Sequence, residues 1–258
     1  MTRIVAVANQ KGGVGKTTTA VNLAACLAAM QFRTLLVDLD PQGNATSGVG
    51  CDRDALEASM YEVVDGRVSL ADILQATPVD GLTVAPARTE LAAAEVELVD
   101  IAGREAVLRE AFAELGDDFD YVIIDCPPAL GLLTINALAA ANSVLVPIQT
   151  EYYALEGLAR LLDTVELVRA RLNPGLDLEG LLLTMHDSRN NLSKQVEAEV
   201  REHFEEHTYS TVIPRNVRLS EAPSFGEPII MYDVDSRGAR SYLELAREFV
   251  ERNAASAA

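Results

Sequence analysis

The stretch Asn9–Thr19, NQKGGVGKTTT, constrains the fold more than any other part of the chain. Before it stands RIVAVA (3–8), a β-branched apolar run that reads as a buried strand. After it, from Thr17 to about Met30, Ala20, Val21, Leu23, Ala24 and Leu27 recur at helical spacing. A glycine-rich turn from strand to helix lines up backbone N–H groups at a helix N-terminus, and together these cradle an anion. Gly12, Gly13 and Gly15 allow close approach of phosphate, with Val14 and Thr18 completing the lining. Lys16 is placed for the β- and γ-phosphates of a nucleotide, and the Thr17 hydroxyl for Mg2+. One departure needs explaining. In the pattern G-x-x-x-x-G-K-[ST] the first glycine would fall at position 10, where Gln10 stands, and a second lysine, Lys11, opens the loop. The chain has only three lysines, Lys11, Lys16 and Lys194, so two of them sit in this loop.

The same strand-then-helix alternation continues. TLLVDLD (34–40), LTVAPA (82–87), YVIIDCPP (121–128), SVLVPIQ (143–149), LEGLLLTM (178–185) and YSTVIP (209–214) read as strands. Helices are expected near 154–172, 192–207 and 238–252, and short helices around the 82–87 strand over 53–116. This order predicts an α/β fold: a mainly parallel sheet with helices on both faces, in one domain over residues 1–258. The longest apolar region, 129–148, is broken by Asn136, Asn142, Ser143 and Pro147 and reads as a helix followed by a buried strand, not a membrane span. RIVAVAN is too short for a signal peptide. Three scattered cysteines without a CxxC spacing argue against a disulfide framework and fit a reducing cytoplasm. HFEEH (203–207) lacks the metalloprotease pattern and reads as an exposed helix end.

Two acidic positions complete the expected site. A nucleotide–Mg2+ site commonly has an acid at the end of a second buried strand, and Asp125 after YVII fits, directly or through water. Asp38 and Asp40 both close the 34–40 strand, and ligands of open parallel sheets bind at the carboxyl ends of strands. Asp40, last before the turn, is the better placed to orient an attacking water, and Asp38 to support the loop.

These motifs together carry a family resemblance. KGGVGKTTT resembles the deviant P-loop of the ParA/MinD group of ATPases. LLVDLDPQGNAT, YVIIDCPP, EYYALEG and IPRNVRLSEAPSFG are similar to the ParA/Soj chromosome-partitioning branch, so the likeness spans residues 3 to about 250. It implies an ATP- and Mg2+-dependent switch of the SIMIBI-type P-loop class. Two subunits sandwich two ATP molecules, and Lys11 reaches the partner's nucleotide as a trans arginine finger would. Gly12 and the Glu151–Gly157 segment would lie near the subunit contact, and Pro214 and Asn216 would touch the adenine. The ATP dimer binds DNA without sequence preference, a ParB-type partner stimulates a slow hydrolysis, and ADP monomers leave. The chain begins at the loop strand, so no N-terminal helix-turn-helix extension is expected.

The resemblance points to Arg189, Lys194, Arg215 and Arg218 as DNA contacts in a nucleoid-associated protein. The chain's formal charge of −18 excludes a general grip on nucleic acid. Residues 185–220 hold five Lys/Arg against six Asp/Glu, so the contacts must cluster in the folded dimer. Other readings share the loop. A MinD-like membrane-recruited ATPase needs a basic amphipathic C-terminal helix, and SYLELAREFVERN is of mixed charge, with no membrane partner expected. An iron–sulfur carrier needs paired junction cysteines that this spacing does not offer. A ParA-like ATPase that positions a non-chromosomal cargo stays open, because the partner chooses the cargo.

Overall fold

The computed structural model describes residues 2–151 and 154–256. Among these residues seven strands form one sheet in the order β3-β4-β2-β5-β1-β6-β7: β1 (Arg3–Val7), β2 (Thr34–Asp38), β3 (Gln75–Ala76), β4 (Leu82–Ala85), β5 (Tyr121–Asp125), β6 (Ser143–Gln149) and β7 (Asp177–Thr184). All neighbours run parallel except the two-residue edge strand β3, which is antiparallel to β4.

Alternation along the strands divides the core. On β5, Val122 and Ile124 face one layer and Ile123 the other. The first layer includes side chains of α3 (Met60–Val64), α4 (Leu91–Glu97), α5 (Val107–Leu115), α6 (Leu132–Ala140), α7 (Ala154–Arg171) and α8 (Asn191–His203). The second is built on α1 (Lys16–Ala29) and α11 (Arg237–Ser256), with α2 (Asn44–Gly48), α9 (Val217–Glu221) and α10 (Ile229–Tyr232) at its margin. Strands buried on both faces account for the near-continuous apolar runs in the sequence. Among the described residues no helix is long and apolar enough to cross a membrane.

The register positions the site. β5 lies between β1 and β2, with Val7 and Asp38 both paired to Asp125, so three strands end at one level. From there the chain turns to β2 on one side of β1 and to β6 on the other. This is the crevice where open α/β sheets bind ligands.

One expected strand is absent. Residues 209–214 run beside β7 but make only isolated bridges, Leu181 to Thr208 and His186 to Pro214. The Tyr209 ring packs over Gly180, where a Cβ would come within 2.6 Å of it. Backbone bonding therefore resumes only at Ile213, whose N–H donates to the Leu183 carbonyl at 2.9 Å. The His186 N–H then donates to the Ile213 carbonyl and the Arg215 N–H to the His186 carbonyl, each at 3.1 Å, so the bonds bracket Pro214 without extending into a ladder. The helix expected near 192–207 ends at His203, and Glu205–His207 forms a separate 3-10 turn.

Candidate active site

The loop between β1 and α1 is tied down before its glycines begin. Asn9 is buried; its Nδ2 donates to the Pro147 carbonyl at 2.8 Å and its Oδ1 accepts the Lys11 N–H at 3.0 Å. Gln10 Nε2 donates to the Gly157 carbonyl at 3.2 Å, which joins the loop to α7. Gly13 and Gly15 hold left-handed backbones, φ 74° and 87°, that other residues rarely adopt. Gly12 differs: a Cβ there would approach Pro128 Cβ only to 4.0 Å, so nothing within the chain requires glycine. The Val14 carbonyl accepts the Thr184 hydroxyl at 2.8 Å. No side chain caps α1, so the N–H groups of its first turn face the crevice.

Lys16 opens that turn with its side chain buried, Nζ donating to the Lys11 carbonyl at 3.1 Å. Burial pulls its pKa below the ordinary lysine value, while Asp125, Cys126 and Asp40 push it back up. A β1–α1 loop with a buried lysine, uncapped N–H groups and acids at adjacent strand ends can hold a polyphosphate.

The acids are arranged unequally. Asp38 is satisfied: Oδ2 accepts the Thr46 N–H and hydroxyl, each at 2.7 Å, and Oδ1 accepts the Asp40 N–H at 3.2 Å. Burial nonetheless pushes its carboxyl up to about 6. Asp40 Oδ1 accepts the Gln42 N–H at 3.0 Å, and its carbonyl accepts the Gly43 N–H at 2.9 Å, closing a turn through Pro41. Asp125 is wholly buried, and neither carboxylate oxygen meets a hydrogen-bond partner. Burial, then the Asp38 charge, pushes its carboxyl well above the usual range; the nearby Thr17 hydroxyl pulls it down without reaching full hydrogen-bond geometry. Orphaned buried oxygens beside a hydroxyl and an ammonium fit a hard cation that keeps water and phosphate in its shell. Among the described residues no group of three or more His, Cys, Asp or Glu forms an all-protein metal cage.

A 240 Å³ cavity extends from the loop, lined by Gly15, Thr18, Met185, Pro214, Asn216 and Tyr242 among others. Pro214 and Asn216 are thus brought to the same crevice as the loop. Asn216 Oδ1 caps α9 by accepting the Arg218 N–H at 2.8 Å. Met185 carries a left-handed backbone, φ 50°, at the end of β7.

Other expected residues lie apart from the phosphate cradle. Lys11 Nζ pairs with Glu151 Oε2 of the same chain at 2.9 Å, in a pair that is 38% and 47% exposed. Glu151 and Gly157 touch the loop through Lys11 and Gln10, whereas Tyr152 and Tyr153 of the expected interface segment lie outside the described residues. Arg189, Lys194, Arg215 and Arg218 are exposed around α8 and α9. Arg189 is bound by Asp187 at 3.1 Å, and Arg218 by Glu221 at 2.9 Å and Asp233 at 3.3 Å. Sequence reasoning missed Thr46, Thr184 and the Glu151 partner of Lys11, because each acts through contacts distant in the chain.

A left-handed glycine loop on the first strand, a buried lysine at the helix start and an acid at the end of the neighbouring strand define a P-loop nucleoside triphosphatase. A family model described as an AAA domain matches residues 2–178. Sporulation initiation inhibitor protein Soj of Bacillus subtilis (strain 168) is 57% identical over 96% of this chain and 98% of its own length. Chromosome partitioning protein ParA of Myxococcus xanthus (strain DK1622) is 55% identical over 97% of this chain and 89% of its own. Among solved structures, cobyrinic acid a,c-diamide synthase from Mycobacterium smegmatis, with bound ATP analog and magnesium, aligns at TM-score 0.84. It is 43% identical, covering 96% of this chain and 93% of that one. The chain belongs to the ParA/Soj family of chromosome-partitioning ATPases.

Proposed function

We propose that this chain hydrolyses ATP as the motor of a chromosome or plasmid partition system, as an ATP-dependent sandwich dimer that binds DNA without sequence preference. Family membership supports the partition role. The synthase name of the Mycobacterium smegmatis neighbour carries less weight, at 43% identity against 57% and 55% for the partition relatives. The observation that carries the nucleotide site is Asp125, buried with both oxygens unpartnered beside Thr17 and Lys16. A buried carboxylate without partners costs several kcal/mol unless a ligand completes it.

In this reading residues 12–18 wrap the phosphates, Lys16 neutralises the β,γ-bridge and γ oxygens, and Pro214 and Asn216 hold the adenine. Thr17 and Asp125 hold Mg2+, Asp125 directly or through water. Bound there, the ion spreads the charge of the β- and γ-phosphates. Asp40 orients a water for in-line attack on the γ-phosphorus; the new P–O bond forms as the bond to the β,γ-bridging oxygen breaks, leaving ADP and phosphate.

Lys11 completes the site in trans. It meets its own chain's Glu151 in a half-exposed pair, and such pairs contribute only about 0–1 kcal/mol, so little opposes exchange for a partner's γ-phosphate. Gly12, free of any intrachain need for glycine, leaves room for that second copy. The four cations around α8 and α9 would contact DNA phosphates, each counted twice in a dimer. A ParB-type partner stimulates the slow hydrolysis, and ADP monomers detach. The protein would reside in the cytoplasm, on the nucleoid.

Retardation of a non-specific duplex tests this reading, with no nucleotide, with ADP and with ATP–Mg2+ across a salt series. Retardation only with ATP, fading as salt rises, is expected. ATP binding without retardation would assign the switch to a cargo other than DNA.

A further inference from the structure

The turn that carries Asp40 is held from outside by a residue no motif includes. Arg53 starts the 3-10 turn Arg53–Ala55, which Asp52 caps by accepting the Asp54 N–H at 3.1 Å. From there its Nη1 reaches back and donates to the carbonyl of Gln42. The Gln42 N–H donates to Asp40 Oδ1 at 3.0 Å. Residue 42 is therefore gripped at both ends, by the Asp40 carboxylate on its N–H and by the Arg53 guanidinium on its carbonyl.

Gly43 makes room for the same clamp. Its backbone is left-handed, φ 63°, and a Cβ there would come within 2.7 Å of Arg53 Cδ and 3.0 Å of the Ala87 carbonyl oxygen. The arginine side chain lies across the turn in space that only glycine leaves free. Among the described residues Arg53 pairs with no carboxylate, so its charge is directed at this one main-chain carbonyl. Arg53 also lines a cavity of 350 Å³ together with Asp54, Arg88, Thr89 and Glu90.

Within the turn the Gly43 N–H donates to the Asp40 carbonyl and the Asp40 N–H to Asp38 Oδ1; the remaining ties act further along the segment. Asp38 holds Thr46, and the Thr46 hydroxyl accepts the Ala87 N–H at 2.9 Å. Those contacts anchor the start of α2. Among the described residues Arg53 is the one side chain from outside the turn that bonds Gln42, the residue that fixes the Asp40 side chain.

We propose that Arg53 is a positioning residue for hydrolysis, clamping the Asp40–Gly43 turn so that the Asp40 carboxylate is pre-aimed at the attacking water. This rests on the reading of Asp40 as the residue that orients that water. Pre-organisation of this kind acts on the chemical step and leaves nucleotide binding alone, and a misplacement near 1 Å costs up to about 100-fold in rate.

The test is ATP hydrolysis and fluorescent-ATP binding in Arg53→Ala, Arg53→Lys, Asp40→Ala and the double variant Arg53→Ala/Asp40→Ala. Arg53→Ala is expected to lower kcat about 10- to 100-fold, with Kd for ATP changed less than about threefold. Arg53→Lys, which keeps a donor and the fold, is expected to recover part of the loss. The double variant is expected to match Asp40→Ala, since Arg53 has nothing left to aim. Full activity in Arg53→Ala beside an impaired Asp40→Ala overturns the inference alone. So does a kcat loss matched by lost ATP binding and a lower Tm, which is the mark of a merely structural arginine. Normal turnover in Asp40→Ala overturns the reading of Asp40 and this inference with it.

Discussion

Two regions at the carboxyl edge of the same sheet handle charge in opposite ways. At the strand ends Asp125 is buried with neither oxygen bonded, and Lys16 is buried with only a main-chain carbonyl to receive its proton. Around α8 and α9 the arginines are exposed, and Arg189 and Arg218 already have carboxylate partners. Each region declares a ligand differently. Buried groups lose water on folding, so an unpartnered one marks a missing partner with a definite geometry. Exposed ion pairs lie in water and exchange freely, so their presence neither demands a ligand nor excludes one.

The largest effect expected from this contrast is at the buried side. Lys16→Ala removes the one ammonium inside the cradle and should weaken ATP binding by at least about 100-fold, read by fluorescent-nucleotide titration. Tight ATP binding in this variant would erase the distinction between the two regions.

The buried acids also predict a pH dependence, opposite in sign to that of the exposed Asp187, whose carboxyl the Arg189 guanidinium holds down at about 2. Asp38 titrates at about 6 in the fold, above its ordinary 3.8, and Asp125 is shifted the same way. The folded chain therefore holds these protons more tightly than the unfolded chain. For Asp38 the contribution to stability is full below about 3.8 and is lost as pH rises through 6, on the order of 2–3 kcal/mol, and Asp125 acts in the same direction. Nucleotide-free protein should melt at lower temperature at pH 7.5 than at pH 5, and Asp125→Asn should flatten that fall while weakening Mg2+-dependent ATP binding. A Tm that rises between pH 5 and 7.5 in the wild type would contradict the strained-acid picture.

This contrast also decides what the sequence made legible. The loop, the apolar strands and the acids at their ends are local patterns, and burial turns them directly into a site. β3 is two residues long at a sheet edge and leaves no periodic trace. Residues 209–214 have strand composition, but the Tyr209 ring on Gly180 satisfies it by packing instead of by a ladder. Arg53 escaped notice because it recognises a main-chain carbonyl, which carries no residue identity. Glu221 lies three residues after Arg218 on the same helix, but the second partner, Asp233, was illegible because it reaches Arg218 only through the fold of α9 and α10.

The smallest expected effects lie on the exposed face. Lys194→Ala or Arg215→Ala should weaken DNA binding a few-fold. Each should also make the slope of log K against log salt shallower by about 1 for every DNA phosphate that the variant no longer neutralises. An unchanged slope in a variant removes that side chain from the DNA surface.

Lys11 stands between the two regions, carried by the loop yet half-exposed and paired with Glu151. The most direct test of the central claim, that the site is complete only across two copies, is analytical ultracentrifugation of wild type and Lys11→Ala with ADP and with ATP–Mg2+, beside an ATP-binding titration. The wild type is expected to form an ATP-dependent dimer, and Lys11→Ala to stay monomeric with near-normal ATP affinity. A Lys11→Ala protein that dimerises on ATP and turns it over at the wild-type rate would contradict that claim.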